Sequence, residues 1–273
     1  MKLTVSLAQM RVATSAPEEN LAKAQRLVAE AAARGSDLVC LPEMWTTGFD
    51  FAWNAAHGAL HEEAIARVSD MARRHRVWIN GSMPEMTADG RPANTSILFD
   101  AEGRRAATYR KTHLFSLFHE DRFVAPGQNL TVAQTPWGPV GLSVCYDIRF
   151  PEIFRTYALK GARMVLSPMA FPYPRLAHWK ILVRARAIEN QLFMVGTNQV
   201  GSEGPGGEGE AGEGRVTYFG SSVVVDPWGE TVVEAGEAEE VLLTAELDLE
   251  RADEVRQRMR VFQDRRPELY DLN

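Results

Sequence analysis

The sequence predicts an α/β fold of stacked strand and helix layers. Short β-rich runs alternate with helical patterns from end to end. The second half repeats the theme of the first, hairpins included. No linker is rich enough in Pro, Gly or Ser to divide the 273 residues, a length that suits one large α/β domain or two small ones.

In order, "LTVSLAQM" (3–10) reads as a strand. Residues 17–34 read as a helix: Pro17 suits a first turn, and Leu21, Ala24, Leu27, Val28 and Ala31 keep helical spacing up to a stop at Gly35. "DLVCL" (37–41) is a buried strand left by the loop "PEMWTTGF". A helix over 61–75 leads to a strand over 77–83. "TSILFD" and "AATYRK" flank "AEGR", which predicts a hairpin. The second half gives a strand at 140–144, a helix at 151–160 closed by Gly161, a strand at 163–168, a helix at 174–190 and a strand at 192–198. A second hairpin turns at Pro227-Trp228-Gly229. A last strand (241–247), a short Arg-rich helix and a tail ending "RRPELYDLN" finish the chain. "GSEGPGGEGEAGEG" (201–214) has no apolar residue beyond Ala211, so it predicts a mobile surface loop. It lacks the Gly-Lys-Ser/Thr of a phosphate cradle.

The net charge of −6 argues against a nucleic-acid or membrane-surface partner, either of which needs a basic face. Two cysteines make no disulfide framework and suggest a reducing, cytoplasmic setting. "MKLTVSLAQM" is too short for a signal sequence, and no run of about twenty apolar residues occurs.

Three residues have addresses that suit chemistry. Cys145 ends the apolar run "VGLSV" and is followed at once by Tyr146, Asp147 and Arg149, with Pro151 opening a helix. Ligands gather at the carboxyl ends of strands in α/β sheets, so this thiol can face a cleft; equally, it can be a small core hydrophobe. Glu43 follows "DLVCL" at another strand end. Apolar company there raises a carboxyl towards general-base range, while the alternative is a solvated loop glutamate. Lys111 ends "AATYRK" with apolar residues after it, and reads as an enclosed cation or a surface lysine. Together they make chemical sense. A free thiol, with a pKa of about 8.5, is mostly protonated at neutral pH. A carboxylate can take its proton, and a fixed ammonium can stabilise an oxyanion.

"LPEMWTTGF", "YRKTHLF" and "VCYDIRFPE" resemble, in that order, the three signature segments of the nitrilase superfamily of carbon–nitrogen hydrolases. The resemblance extends to "AHWKILVRARAIENQ", "DPWGE" and "RRPELY". It implies a four-layer αββα sandwich, with no metal or organic cofactor. It also implies that Cys145 attacks an amide carbon, that Glu43 is the general base, and that Lys111 and the Tyr146 N–H hold the oxyanion. Glu120, in "HEDRFVAPGQ", falls where the family often has a second glutamate, with Asp121 as its competitor. Arg149 can read a substrate carboxylate through its guanidinium fork, or can make a structural salt bridge with Asp147 or Glu152. Trp45, Phe150, Phe171 and Trp179 are candidates to line the pocket, the alternative for each being the core. "MWTTGF", "CYDIRF" and "AHW" look most like the omega-amidase branch, which hydrolyses the terminal amide of short dicarboxylate monoamides such as 2-oxoglutaramate and succinamate. The partner implied is thus a small amide, together with a second copy: members usually pair through a helical face, and the tail after residue 250 can cross to that copy. An N-carbamoyl amino acid hydrolase, a nitrilase and an idle binding protein on the same scaffold are the competing readings. His57 and His61 are spaced four apart without the glutamate of a metalloprotease helix, and read as surface histidines. Cys40 reads as an inert buried thiol with a minor chance of redox pairing with Cys145.

Overall fold

The computed structural model describes residues 1–202 and 216–270. The first half runs β1 (Lys2–Gln9), α1 (Pro17–Ala33), β2 (Leu38–Cys40), α2 (Phe51–Ala56), α3 (Gly58–His75), β3 (Trp78–Met86), β4 (Pro92–Phe99), β5 (Arg105–Arg110) and the single turn α4 (Glu120–Phe123). The second half runs β6 (Val132–Thr135), β7 (Gly138–Leu142), α5 (Pro151–Leu159), β8 (Met164–Met169), α6 (Leu176–Asn190), β9 (Phe193–Asn198), β10 (Val200–Ser202), β11 (Thr217–Phe219), β12 (Val223–Val225), β13 (Thr231–Glu234), β14 (Val241–Asp248) and α7 (Glu250–Arg258).

Two six-stranded sheets result, ordered β14-β1-β2-β3-β4-β5 and β13-β12-β9-β8-β7-β6. Each has a parallel core, β1-β2-β3 or β7-β8-β9, extended by antiparallel strands. The pleat sends alternate residues to opposite faces, and the buried residues sort accordingly. Leu3, Val5 and Leu7 of β1 and Leu38 and Cys40 of β2 meet Val140, Leu142, Leu166 and Val195 of the other sheet. On the outer face, Val39 and Ile79 pack with Leu21, Val28, Ile65 and Val68 of α1 and α3. The second sheet likewise covers Val165 and Met194 with residues of α5 and α6, among them Phe154, Tyr157, Trp179 and Val183. Helix, sheet, sheet, helix is the αββα sandwich. The middle layer of apolar contacts joins the two halves of the chain face to face.

Most strands and helices lie where hydrophobic periodicity puts them. Both hairpins form, β4–β5 and β12–β13. The short elements α2, β6, β10 and β11 do not show in the periodicity, because three to six residues are too few to display one. The expected loop over 201–214 is corrected at its start: Gly201 and Ser202 belong to β10, paired with β11. The rest of that loop lies outside the described residues. His61 is also corrected. It is buried, with its Nε2 2.7 Å from the Asn54 carbonyl oxygen, and Trp53 stacks on the neighbouring His57. No helix among the described residues is long and apolar enough to cross a membrane.

Candidate active site

The cleft lies where the two sheets expose the carboxyl ends of β2, β5, β7 and β8. Four chain segments converge there, each held by backbone or buried polar contacts. Glu43 comes just after β2. Its N–H donates to the Met169 carbonyl (3.2 Å), and its carbonyl accepts from Gln199 Nε2 (2.7 Å), so this loop is tied to the opposite half of the chain. Met44, next to it, adopts a left-handed φ of 45°, held by Ser82 Oγ accepting its N–H. Lys111 follows β5, and its carbonyl accepts from Gly127 N–H (2.9 Å). Cys145 opens a short 3-10 turn (Cys145–Arg149) between β7 and α5, again with a left-handed φ, 41°. Arg186 supports that turn from α6 by donating from Nε to the Ile148 carbonyl (2.8 Å).

Glu43, Lys111 and Glu120 are almost wholly buried, at 1, 2 and 2 % exposure, which removes the solvated readings of the first two. Lys111 Nζ donates to Glu43 Oε1 (2.9 Å) and to Glu120 Oε2 (2.7 Å). Asp121 points into solvent, so Glu120 is the carboxylate at this place. Asn94 of β4, unmarked in the sequence reading, bridges the two carboxylates. Its Nδ2 donates to Glu43 Oε1 (2.8 Å) and to Glu120 Oε1 (3.2 Å). Only strand pairing shows it: Asn94 stands one register step from Thr95, whose cross-strand partner is Arg110, beside Lys111.

The charges are not at rest in an ordinary way. Burial raises the Glu43 carboxyl, and nearby Glu120 adds to this, while Lys111 opposes both. Burial alone would lower the Lys111 ammonium, but Glu120, Glu43 and the Cys145 sulfur outweigh it, and it stays charged. Burial and the negative charge of Glu43 push the Cys145 thiol well above its usual range. Lys111 and the Ala170 backbone pull the other way without reversing this. The resting pair is therefore a protonated thiol beside a carboxylate of increased basicity.

The cleft is narrow at its floor and opens to solvent. Cys145, Glu43, Lys111 and Glu120 line its floor; Phe49, Phe51, Phe115, Phe118 and Tyr146 line its apolar walls; Arg149 and Arg175 add two guanidiniums. Phe171 also lines it, held by mutual hydrogen bonds with Asn198 (2.7 and 3.2 Å). Arg149 makes neither expected salt bridge. Its Nη2 lies 3.3 Å from His178 Nδ1, its guanidinium lies over the Phe171 and Tyr146 rings, and no carboxylate pairs with it among the described residues. Asp147 is engaged instead with Tyr109, Val144 and His113. Trp45 does not reach the cleft. It is fully buried under the first sheet against the α1 and α3 side, where Gly81 leaves room for its ring. Trp179 is core as well, donating to the Ser221 carbonyl (2.9 Å), and Phe150 stacks on His113. Arg175 and the phenylalanines at 49, 51, 115 and 118 escaped sequence reading because they carry no pattern of their own. Cys40 is buried between the sheets with its thiol raised by burial, and both cysteines are free.

The profile of the carbon–nitrogen hydrolase family matches residues 4–257. A 2-oxoglutaramate amidase of Bacillus subtilis is 36 % identical over 99 % of this chain and 100 % of its own. Omega-amidase NIT2 of Xenopus tropicalis is 33 % identical over 99 % of this chain and 98 % of its own. A carbon–nitrogen hydrolase of Helicobacter pylori, solved by crystallography, superposes with a TM-score of 0.91 at 30 % identity, covering 99 % of this chain and 97 % of that one. With its sandwich, its cleft and its full-length likeness all in agreement, this chain belongs to the carbon–nitrogen hydrolase family, the nitrilase superfamily.

Proposed function

We propose that the chain is an omega-amidase that releases ammonia from the terminal amide of a small carboxylate-bearing substrate, 2-oxoglutaramate or succinamate being representative. One observation carries the reading: a thiol, a basic carboxylate and a charged ammonium meet in one apolar cleft whose Arg149 has no carboxylate partner among the described residues. The names of the full-length relatives support the substrate class.

The reaction proceeds in two halves. Glu43 takes the thiol proton as the Cys145 sulfur bonds to the amide carbon, and the carbonyl π pair moves onto oxygen. Lys111 Nζ and the Tyr146 N–H stabilise that oxyanion. When it collapses, the C–N bond breaks, Glu43 returns its proton to nitrogen, and ammonia departs, leaving a thioester. Glu43 then takes a proton from water as the water oxygen attacks the thioester carbon. Collapse of the second oxyanion breaks the C–S bond, Glu43 returns its proton to the departing sulfur, and the thiol, the Glu43 carboxylate and the acid product result. Glu120 and Asn94 hold Lys111 and Glu43 in register throughout. Arg149, with Arg175 beside the same cleft, pairs with the distal carboxylate of the substrate. Phe171 and Tyr146 close the wall.

The reading extends to a cytoplasmic homodimer built from one catalytic domain per chain. Two free thiols suit a reducing compartment. The exposed apolar Ile181, Ile188, Trp228 and Val232 on α6 and the β12–β13 hairpin suit a self-association face.

Ammonia release from succinamate, 2-oxoglutaramate, glutamine, an N-carbamoyl amino acid and a simple nitrile, with Cys145→Ala as blank, tests the proposal. Turnover confined to the dicarboxylate monoamides is expected. Faster turnover of the carbamoyl compound or the nitrile overturns the substrate class. Release retained by Cys145→Ala overturns the mechanism.

A further inference from the structure

Asp147 is a fully buried carboxylate, two residues past Cys145, that the reaction above does not use. Five polar groups lie within hydrogen-bonding distance of its two oxygens. Oδ2 takes the Val144 N–H (2.8 Å) and the Tyr109 hydroxyl (2.8 Å). Oδ1 lies 2.9 Å from His113 Nδ1 and takes the His113 N–H (3.3 Å) and the Thr112 hydroxyl (3.4 Å). Tyr109 OH is also 2.8 Å from Thr112 Oγ1, which closes the network. The placement of these donors is telling. Val144 immediately precedes the nucleophile candidate in the chain. Tyr109, Thr112 and His113 flank Lys111 on both sides. One oxygen and its twin therefore grip the two segments that carry the sulfur and the ammonium, and these segments come from different sheets. The turn that Asp147 anchors carries Cys145 at a φ of 41°, a conformation that a non-glycine residue holds only when its surroundings impose it.

We infer that Asp147 is the positioning residue of this site: it sets the separation of the Cys145 sulfur and the Lys111 ammonium by holding the nucleophile turn against the end of β5. The inference rests on the amidase reading for its kinetic consequence but not for its geometry. Asp147→Asn keeps the shape and an acceptor for the Val144 N–H. Its amide group, however, cannot accept from both the His113 N–H and the Thr112 hydroxyl while its oxygen faces Val144, so the grip on the Lys111 side is lost. A displacement near 1 Å in such a site costs on the order of 100-fold in rate.

The test compares Asp147→Asn with the wild-type chain in two assays, each normalised to the folded fraction by circular dichroism. In succinamate turnover, kcat is expected to fall about 10- to 100-fold with KM within about threefold. In iodoacetamide labelling at neutral pH, selective alkylation of Cys145 is expected to slow, because an ammonium that has moved away no longer supports the thiolate. A purely structural role would lower the folded fraction and leave both normalised rates unchanged, and that result overturns the inference. A rise in KM alone also overturns it, by placing Asp147 in substrate binding. If the wild-type chain turns over no monoamide, the labelling rates still decide: slower labelling of the variant upholds the positioning role while the amidase reading fails, and equal labelling removes both. Should Asp147→Asn not fold, Tyr109→Phe deletes one bond of the same network and goes through the same two assays with the same expected direction.

Discussion

Asn94→Leu is the sharpest probe of how the site holds a basic carboxylate in an apolar place. The substitution keeps the branching at Cγ and removes the amide, whose Nδ2 is the donor to both carboxylates. In the native cleft, Glu43 Oε1 accepts from Lys111 Nζ (2.9 Å) and Asn94 Nδ2 (2.8 Å). The amide N–H donates more strongly to the ionised carboxylate than to the neutral acid, so it favours the ionised form. A hydrogen bond to a charged group contributes about 1.5–3 kcal/mol. One pKa unit corresponds to about 1.4 kcal/mol, so the Glu43 carboxyl should climb by about one to two units beyond its already raised value. The sign follows directly. Protonated Glu43 cannot accept the thiol proton, so activity is lost as pH falls through its pKa, and a higher pKa moves the acid limb to higher pH. Measuring kcat/KM for succinamate from about pH 5 to pH 9 reads this limb in the free enzyme. A folded Asn94→Leu variant whose acid limb stays within about 0.3 unit of wild type, or moves to lower pH, would refute the electrostatic account of Glu43.

In the wild-type chain, the acid limb itself is expected above the ordinary carboxylate range of about 4.3, because burial and Glu120 both raise Glu43; a limb at or below that value contradicts the assignment. Arg149→Ala should raise KM for succinamate about tenfold or more while leaving propionamide, which has no carboxylate, within about twofold; equal losses on both substrates would mean that the guanidinium only shapes the wall. Gly127→Ala places a Cβ 2.0 Å from the Arg110 carbonyl oxygen, beside the backbone bond that anchors Lys111, so kcat should fall by about tenfold or more as the end of β5 shifts. Gly196→Ala meets Trp179 Cη2 at 2.5 Å in the second helix layer, and calorimetry should show a destabilisation of about 1–3 kcal/mol from overpacking.

The sandwich was legible because its layers repeat a local signal. Leu21, Ala24, Val28 and Ala31 announce α1 by spacing alone, and the same residues are buried on it. Glu43, Lys111 and Cys145 were legible by address, each just beyond a strand, and by the signature segments around them. Glu120 was a candidate through the separate stretch "HEDRFVAPGQ", with Asp121 as its competitor, and its burial against Lys111 separates the two. Trp45 shows the limit of address. It stands two residues past Glu43, yet the left-handed turn at Met44 sends it to the other side of the first sheet, among Val39, Ile79 and Ile97. His61 shows the limit of composition, since a histidine on a helix is as readily buried over a carbonyl as exposed.

Chain order alone determined which residue types stand at strand ends and which stretches alternate as strands and helices, because those properties depend on near neighbours. It determined the α/β class and singled out Cys145, Glu43 and Lys111 as the candidate thiol, carboxylate and ammonium. Only the tertiary structure decided that Asn94 joins two carboxylates, that Asp147 grips both halves of the site rather than pairing with Arg149, and that two guanidiniums share a cleft walled by phenylalanines. Those relations link residues from 26 to 51 positions apart in the case of Asn94 alone. They arise from strand register and from the stacking of one sheet on another, and neither leaves a periodic mark on the chain.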